Sequence, residues 1–172
     1  MKGHARTCLF LIAVSLFAIG ASVLLAQGSS RGETRATIGS AHLSIEYGRP
    51  MLRGRDPLKM IKPGEVWRLG AGAPTTIDSD RDLIFGDTRV PKGKHILLAQ
   101  MVEPAKWVLI VSSKAAAEYD PGAKIAEAPM RIENGEDSVE EMTIKLSGHQ
   151  NEGEIEVAWG TSRLTANFSV AQ

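Results

Sequence analysis

Apolar and polar positions alternate with a period of two through the last third of the chain. Met142, Ile144 and Leu146 alternate with Glu141, Thr143 and Lys145. Ile155, Val157 and Trp159 alternate with Glu154, Glu156 and Ala158, and Leu164, Ala166, Phe168 and Val170 with Arg163, Thr165, Asn167 and Ser169. Successive side chains of a strand point to opposite faces, so each run reads as a strand with one buried and one wet face. Earlier in the chain Leu43, Ile45 and Tyr47 face one way, and Ser44 and Glu46 the other. The Gly39-Ser40 pair before them, preceded by Thr37-Ile38, predicts a hairpin. Residues 95–101 are apolar nearly throughout and residues 107–111 wholly so. Such runs predict strands covered on both faces.

Shorter strands are expected at 75–77 and 83–85. Turns are expected at 78–82, Gly86-Asp87, 91–93 and Gly160-Thr161, the last closing the final hairpin. The one helix expected spans 113–118, capped by Ser113 and stopped by residues 119–122. Together these elements predict an all-β fold: an antiparallel β-sandwich of roughly nine or ten short strands with one short helix.

Residues 63–72 concentrate a tryptophan, an acid and base in close succession, and three glycines. If this stretch is a strand, Val66 and Arg68 share one face while Glu65, Trp67 and Leu69 share the other. Trp67 then anchors the core through its large apolar area, with an indole N–H that needs a partner. Gly70 supplies backbone freedom beside it, and Tyr47 joins Trp67 as a structural residue. Arg68, beside an inward valine, is expected to be charge-paired inside the fold, because an isolated buried charge is prohibitively costly. Glu46, Asp56 and loop carbonyls are its candidate partners. The competing expectation makes Arg68 an anion-binding group.

Residues 48–63 form the longest irregular stretch. They carry Arg49, Arg53, Arg55, Lys59 and Lys62 against Asp56 alone. Long loops in small domains are often functional, and guanidinium forks match carboxylates and phosphates. Arg49, Arg53, Arg55, Arg68 and Glu65 are therefore the candidate ligand-binding residues. The ligand expected is a small anion or a sugar-like molecule, or the partner is a protein. The plainer expectation is a solvated basic loop whose arginines pair with Asp56, Glu46 and Glu65. A hydrolase with Glu65 or Glu46 as base and Arg68 as electrostatic stabiliser is the alternative to a non-catalytic binding or structural module.

Composition narrows this further. Twenty Lys and Arg balance twenty Asp and Glu, so no nucleic-acid footprint is expected. Lys2 and Arg6 followed by an apolar run from Cys8 to Leu25 predict a signal peptide over residues 1–26. Cleavage is expected after Ala26 or Gly28; an uncleaved run is long enough to anchor the chain in a membrane. A flexible tether is expected over 27–35 and the sandwich domain over 36–172, exported to the periplasm or the exterior. Cys8 is the only cysteine, so the mature chain has neither a disulfide nor a thiolate. His42, His95 and His149 lack a second ligand at short spacing, so no metal is expected. No phosphate loop or serine elbow is present, and no cofactor is expected.

Four motifs occur in order: Tyr47-Gly48-Arg49-Pro50; Arg53-Gly54-Arg55; Gly64-Glu65-Val66-Trp67-Arg68-Leu69-Gly70-Ala71; and Pro91-Lys92-Gly93. In order and spacing they resemble domain of unknown function 2911, a family of exported bacterial proteins. The apolar run 107–111 and the Trp159-Gly160 pair are also similar, and the resemblance covers about residues 36–170. It implies an asparagine where this chain has Gly72 and an aromatic where it has His95. It also implies a tryptophan-glycine pair within 115–119, which this chain lacks. The family has no established activity, so the resemblance implies fold and localisation rather than a reaction.

Overall fold

The computed structural model describes residues 29–172 apart from Pro57, so the expected leader lies outside the described residues. Ten strands follow in chain order. They are β1 (Ser30–Ile38), β2 (Ala41–Arg49), β3 (Val66–Trp67), β4 (Thr76–Ser79) and β5 (Leu83–Phe85), then β6 (Thr88–Val90), β7 (Gly93–Glu103), β8 (Lys106–Ser112), β9 (Lys124–His149) and β10 (Glu152–Val170). They build one antiparallel sheet in the order β1-β2-β4-β7-β8-β9-β10-β5-β6, with β3 paired to β7.

The sheet curls on itself like a sandwich, and β9 makes this happen. Its first part pairs with β8, from Ser112 opposite Lys124 to Trp107 opposite Met130. Its later part receives the chain leaving β2, where Met51 bridges Glu141 and the Leu52 and Met142 amides bond Glu140 and Pro50. One core fills the enclosed space, joining Leu43, Ile45 and Tyr47 of β2 with Met142 and Ile144 of β9 and Leu164 and Phe168 of β10. Tyr47 donates its hydroxyl proton to the carbonyl of Ile144, 3.4 Å away.

The Gly39-Ser40 hairpin forms as expected, with Ile38 opposite Ala41. The expected tether does not hold: β1 begins at Ser30 and pairs residue by residue with β2 as far as Arg49. Its polar, charged composition belongs to an edge strand with an exposed face, which composition alone does not separate from a linker. Gly160 and Thr161 lie inside β10, not in a turn; the β9–β10 reversal is at Gln150 and Asn151. Gly160, at φ +61°, forms a bulge in the pairing, the common meaning of an isolated glycine within a strand. The Arg163 guanidinium donates to the carbonyls of Gly160, Ser162 and Asp137 at 2.8–3.0 Å, satisfying acceptors around the bulge. β9 and β10 are thus two long bent strands, not several short ones. The expected helix also shrinks to 3-10 turns at Ala116–Glu118 and Pro121–Ala123. Ser113 does not cap the first; its hydroxyl instead bonds the carbonyl of Ala123.

β7 and β8 are covered on both faces, as their sequences predict. Leu97, Ala99, Leu109 and Val111 join the main core. Leu98 and its cross-strand partner Ile110 alternate to the other face, yet are 1 % and 0 % exposed.

Candidate functional site

The central motif does not run as a continuous strand. After Val66 and Trp67 pair with Gln100 and Ala99, the chain turns at Leu69, which adopts φ +53°. A left-handed conformation is rare for a bulky residue and costs on the order of 1–3 kcal/mol. Leu69 holds it because its side chain is fully buried and its carbonyl accepts the Thr75 hydroxyl at 2.7 Å. Gly70 follows at φ +153°, where a Cβ would lie 2.8 Å from the Gly48 carbonyl oxygen.

This turn overrides the alternation on which the Arg68 expectation rests. Arg68 is exposed, not paired inside the fold. Among the described residues its guanidinium has no hydrogen-bond or ion-pair partner. Glu46, its first candidate partner, is engaged by Lys94 at 3.4 Å and Arg31 at 3.9 Å. Asp56 is engaged by Lys59 at 3.0 Å, and that hydrogen bond holds its carboxyl below the ordinary range.

Arg68 stands instead at a cleft of about 210 Å³ with Pro74, Leu98, Ala115, Ala116 and Ala117. Leu98 is the buried floor, and the alanines line the same cleft from the segment between β8 and β9. The cleft is therefore apolar apart from one guanidinium. A second, more open hollow continues from Pro74 past Thr76 and Ile96 towards Lys94 and Glu46.

The other four candidate residues are held elsewhere. Arg49 pairs with Glu141 at 3.0 Å and donates Nε–H to the Met142 carbonyl at 3.3 Å, so it fastens β2 to β9. The Arg53 amide donates to the Glu140 carboxylate at 3.0 Å. Arg55 donates to the Leu52 carbonyl of its own loop at 3.2 Å. Glu65 accepts the Lys62 amide at 3.1 Å, closing a tight turn. The arginine-rich loop therefore does not converge with Arg68 on one cleft. Neither Glu65 nor Glu46 lines the Arg68 cleft, so the arrangement required of a hydrolase base is not assembled there.

Trp67 occupies a different position from its neighbour. It is half-buried, stacks on Trp159 at 6.0 Å and 11° between planes, and meets Trp107 edge-on at 6.4 Å. It anchors the core through an aromatic cluster at one end of the fold.

Sequence reasoning missed the walls of the Arg68 cleft. One signal was available: a β7 run apolar at every position from Ile96 to Ala99 requires something to cover the outer face. Which segment does so was not written locally. Among the described residues no group of three His, Cys, Asp or Glu gathers as metal ligands.

These features define an all-β domain of one curled antiparallel sheet, with the exposed Arg68 at an apolar cleft. The chain belongs to the family described as Protein of unknown function (DUF2911), whose model matches residues 29–168. No curated protein and no solved structure matches it.

Proposed function

We propose that this chain is an exported cell-envelope domain that binds a small organic anion without transforming it, with Arg68 as the anion-binding group. The observation that carries this reading is the exposed, unpartnered guanidinium beside an apolar cleft. A planar guanidinium offers a carboxylate two parallel N–H donors. Leu98, Pro74 and the three alanines offer the ligand's carbon skeleton a dry surface. The volume is below the roughly 300–1,000 Å³ of pockets for drug-sized ligands, which points to a compact acid. Export is read from the charged start and apolar run of residues 1–26.

The test is a thermal-shift and calorimetric comparison of benzoate, acetate, inorganic phosphate and benzyl alcohol. Benzoate is expected to bind best, because it has both the charge and an apolar ring. Benzyl alcohol is expected to fail for lack of charge, and Arg68→Ala is expected to abolish the benzoate signal. Benzoate binding unchanged in Arg68→Ala would overturn the assignment.

A further inference from the structure

Another cleft, independent of Arg68, lies beside the tryptophan cluster. Its volume is about 540 Å³, within the usual range for ligand sites. Leu58, Ile61, Met101 and Ile132 give it apolar walls, and Trp107 lines it. Asn134 and Ser162 stand opposite each other in the β9–β10 ladder beside the bulge and supply polar groups.

Trp107 is 2 % exposed, and its indole N–H has no acceptor within hydrogen-bond reach. A buried polar group without a partner is uncommon in folded proteins and costs about 1–3 kcal/mol. A core aromatic chosen only for packing would serve as well as phenylalanine, without that cost. Directly across the ladder from Trp107 is Met101, half-buried and on the same face. Both line the cleft, and an unbranched thioether side chain changes rotamer easily, so this wall can adjust to a ligand.

We propose that this cleft is a binding site for an apolar ligand carrying an uncharged oxygen acceptor, such as an acyl amide or ester. The Trp107 N–H donates to that oxygen. The aliphatic part lies against Leu58, Ile61 and Ile132. A charged head is disfavoured because Lys59 and Asp56 at the rim already neutralise each other at 3.0 Å.

The chain has three tryptophans, all in this cluster, so intrinsic fluorescence reports on the site directly. The purified chain is titrated with octanamide, and with acetamide as the same acceptor without the aliphatic chain. Octanamide is expected to give a saturable change and acetamide none. Trp107→Phe keeps the ring and removes the donor, and is expected to weaken octanamide binding by about fivefold. Thr161→Phe places a ring at the exposed rim, leaves all three tryptophans in place, and is expected to remove binding. Circular dichroism checks that each variant is folded; if Trp107→Phe is not, Thr161→Phe decides. Absence of a saturable octanamide response, unchanged affinity in folded Trp107→Phe, or wild-type affinity in Thr161→Phe would each overturn the proposal.

Discussion

A side-chain carbon at Gly48 would lie 1.8 Å from the carbonyl oxygen of Ala71. The end of β2 and the turn after Trp67 therefore meet backbone to backbone, with no room for a side chain between them. This contact joins two motifs some twenty positions apart and fixes where the chain turns away after Arg68. Gly48→Ala cannot be absorbed by a flexible neighbour, because the obstacle is main chain. It is expected to destabilise the fold by at least about 1–3 kcal/mol, the usual cost of overpacking. Urea denaturation measures this; a midpoint equal to wild type would show that the contact is looser than the geometry indicates.

Trp67→Ala is expected to cost about 3 kcal/mol, the lower end of the range for truncating a large aromatic, because Trp67 is only half-buried. Part of that loss is the stacking on Trp159, so Trp67→Ala and Trp159→Phe should not be additive. A double-mutant cycle on denaturation free energies tests this. Full additivity would mean that the stacked pair contributes nothing beyond burial.

The sheet was legible in the sequence wherever one face is wet. Along Leu43, Ile45 and Tyr47, and along Ile155, Val157 and Trp159, alternation identifies the buried face. It failed where a local conformation breaks the period. Leu69 at φ +53° is held by the Thr75 hydroxyl and by burial, neither visible around position 68, so alternation puts Arg68 on the wrong side. The polar start of β1 has the composition of a tether because its order comes from its partner β2. Arg68 itself was legible as a candidate. Its cleft was not, because Pro74, Leu98 and Ala115 to Ala117 come together only through tertiary packing.

Asp82 accepts the Lys92 amide at 2.9 Å and the Arg89 guanidinium at 3.0 Å. The backbone bond first, and Arg89 second, hold its carboxyl below the ordinary value of 3.8. Asp80 is lowered likewise, first by the His42 amide and then by the His42 ring. A carboxyl whose folded pKa is depressed stabilises the fold fully above its unfolded pKa. That contribution is lost as pH falls through the lower, folded value. Stability should therefore decline on the acid side of the carboxylate range, and Asp82→Asn should make the decline shallower while lowering stability at neutral pH. Urea midpoints followed from neutrality into acid test this; identical pH profiles for the variant and wild type would contradict it.

On the proposed function, Arg68 serves a ligand and does not hold the fold together. The most direct test is chemical denaturation of Arg68→Ala without ligand, read beside benzoate titration of the same protein. An exposed side chain without partners should change stability by no more than about 0.5 kcal/mol, while benzoate affinity disappears. A loss of about 3–5 kcal/mol, the scale for breaking a buried ion pair from one side, with benzoate affinity retained, would make Arg68 a structural residue instead.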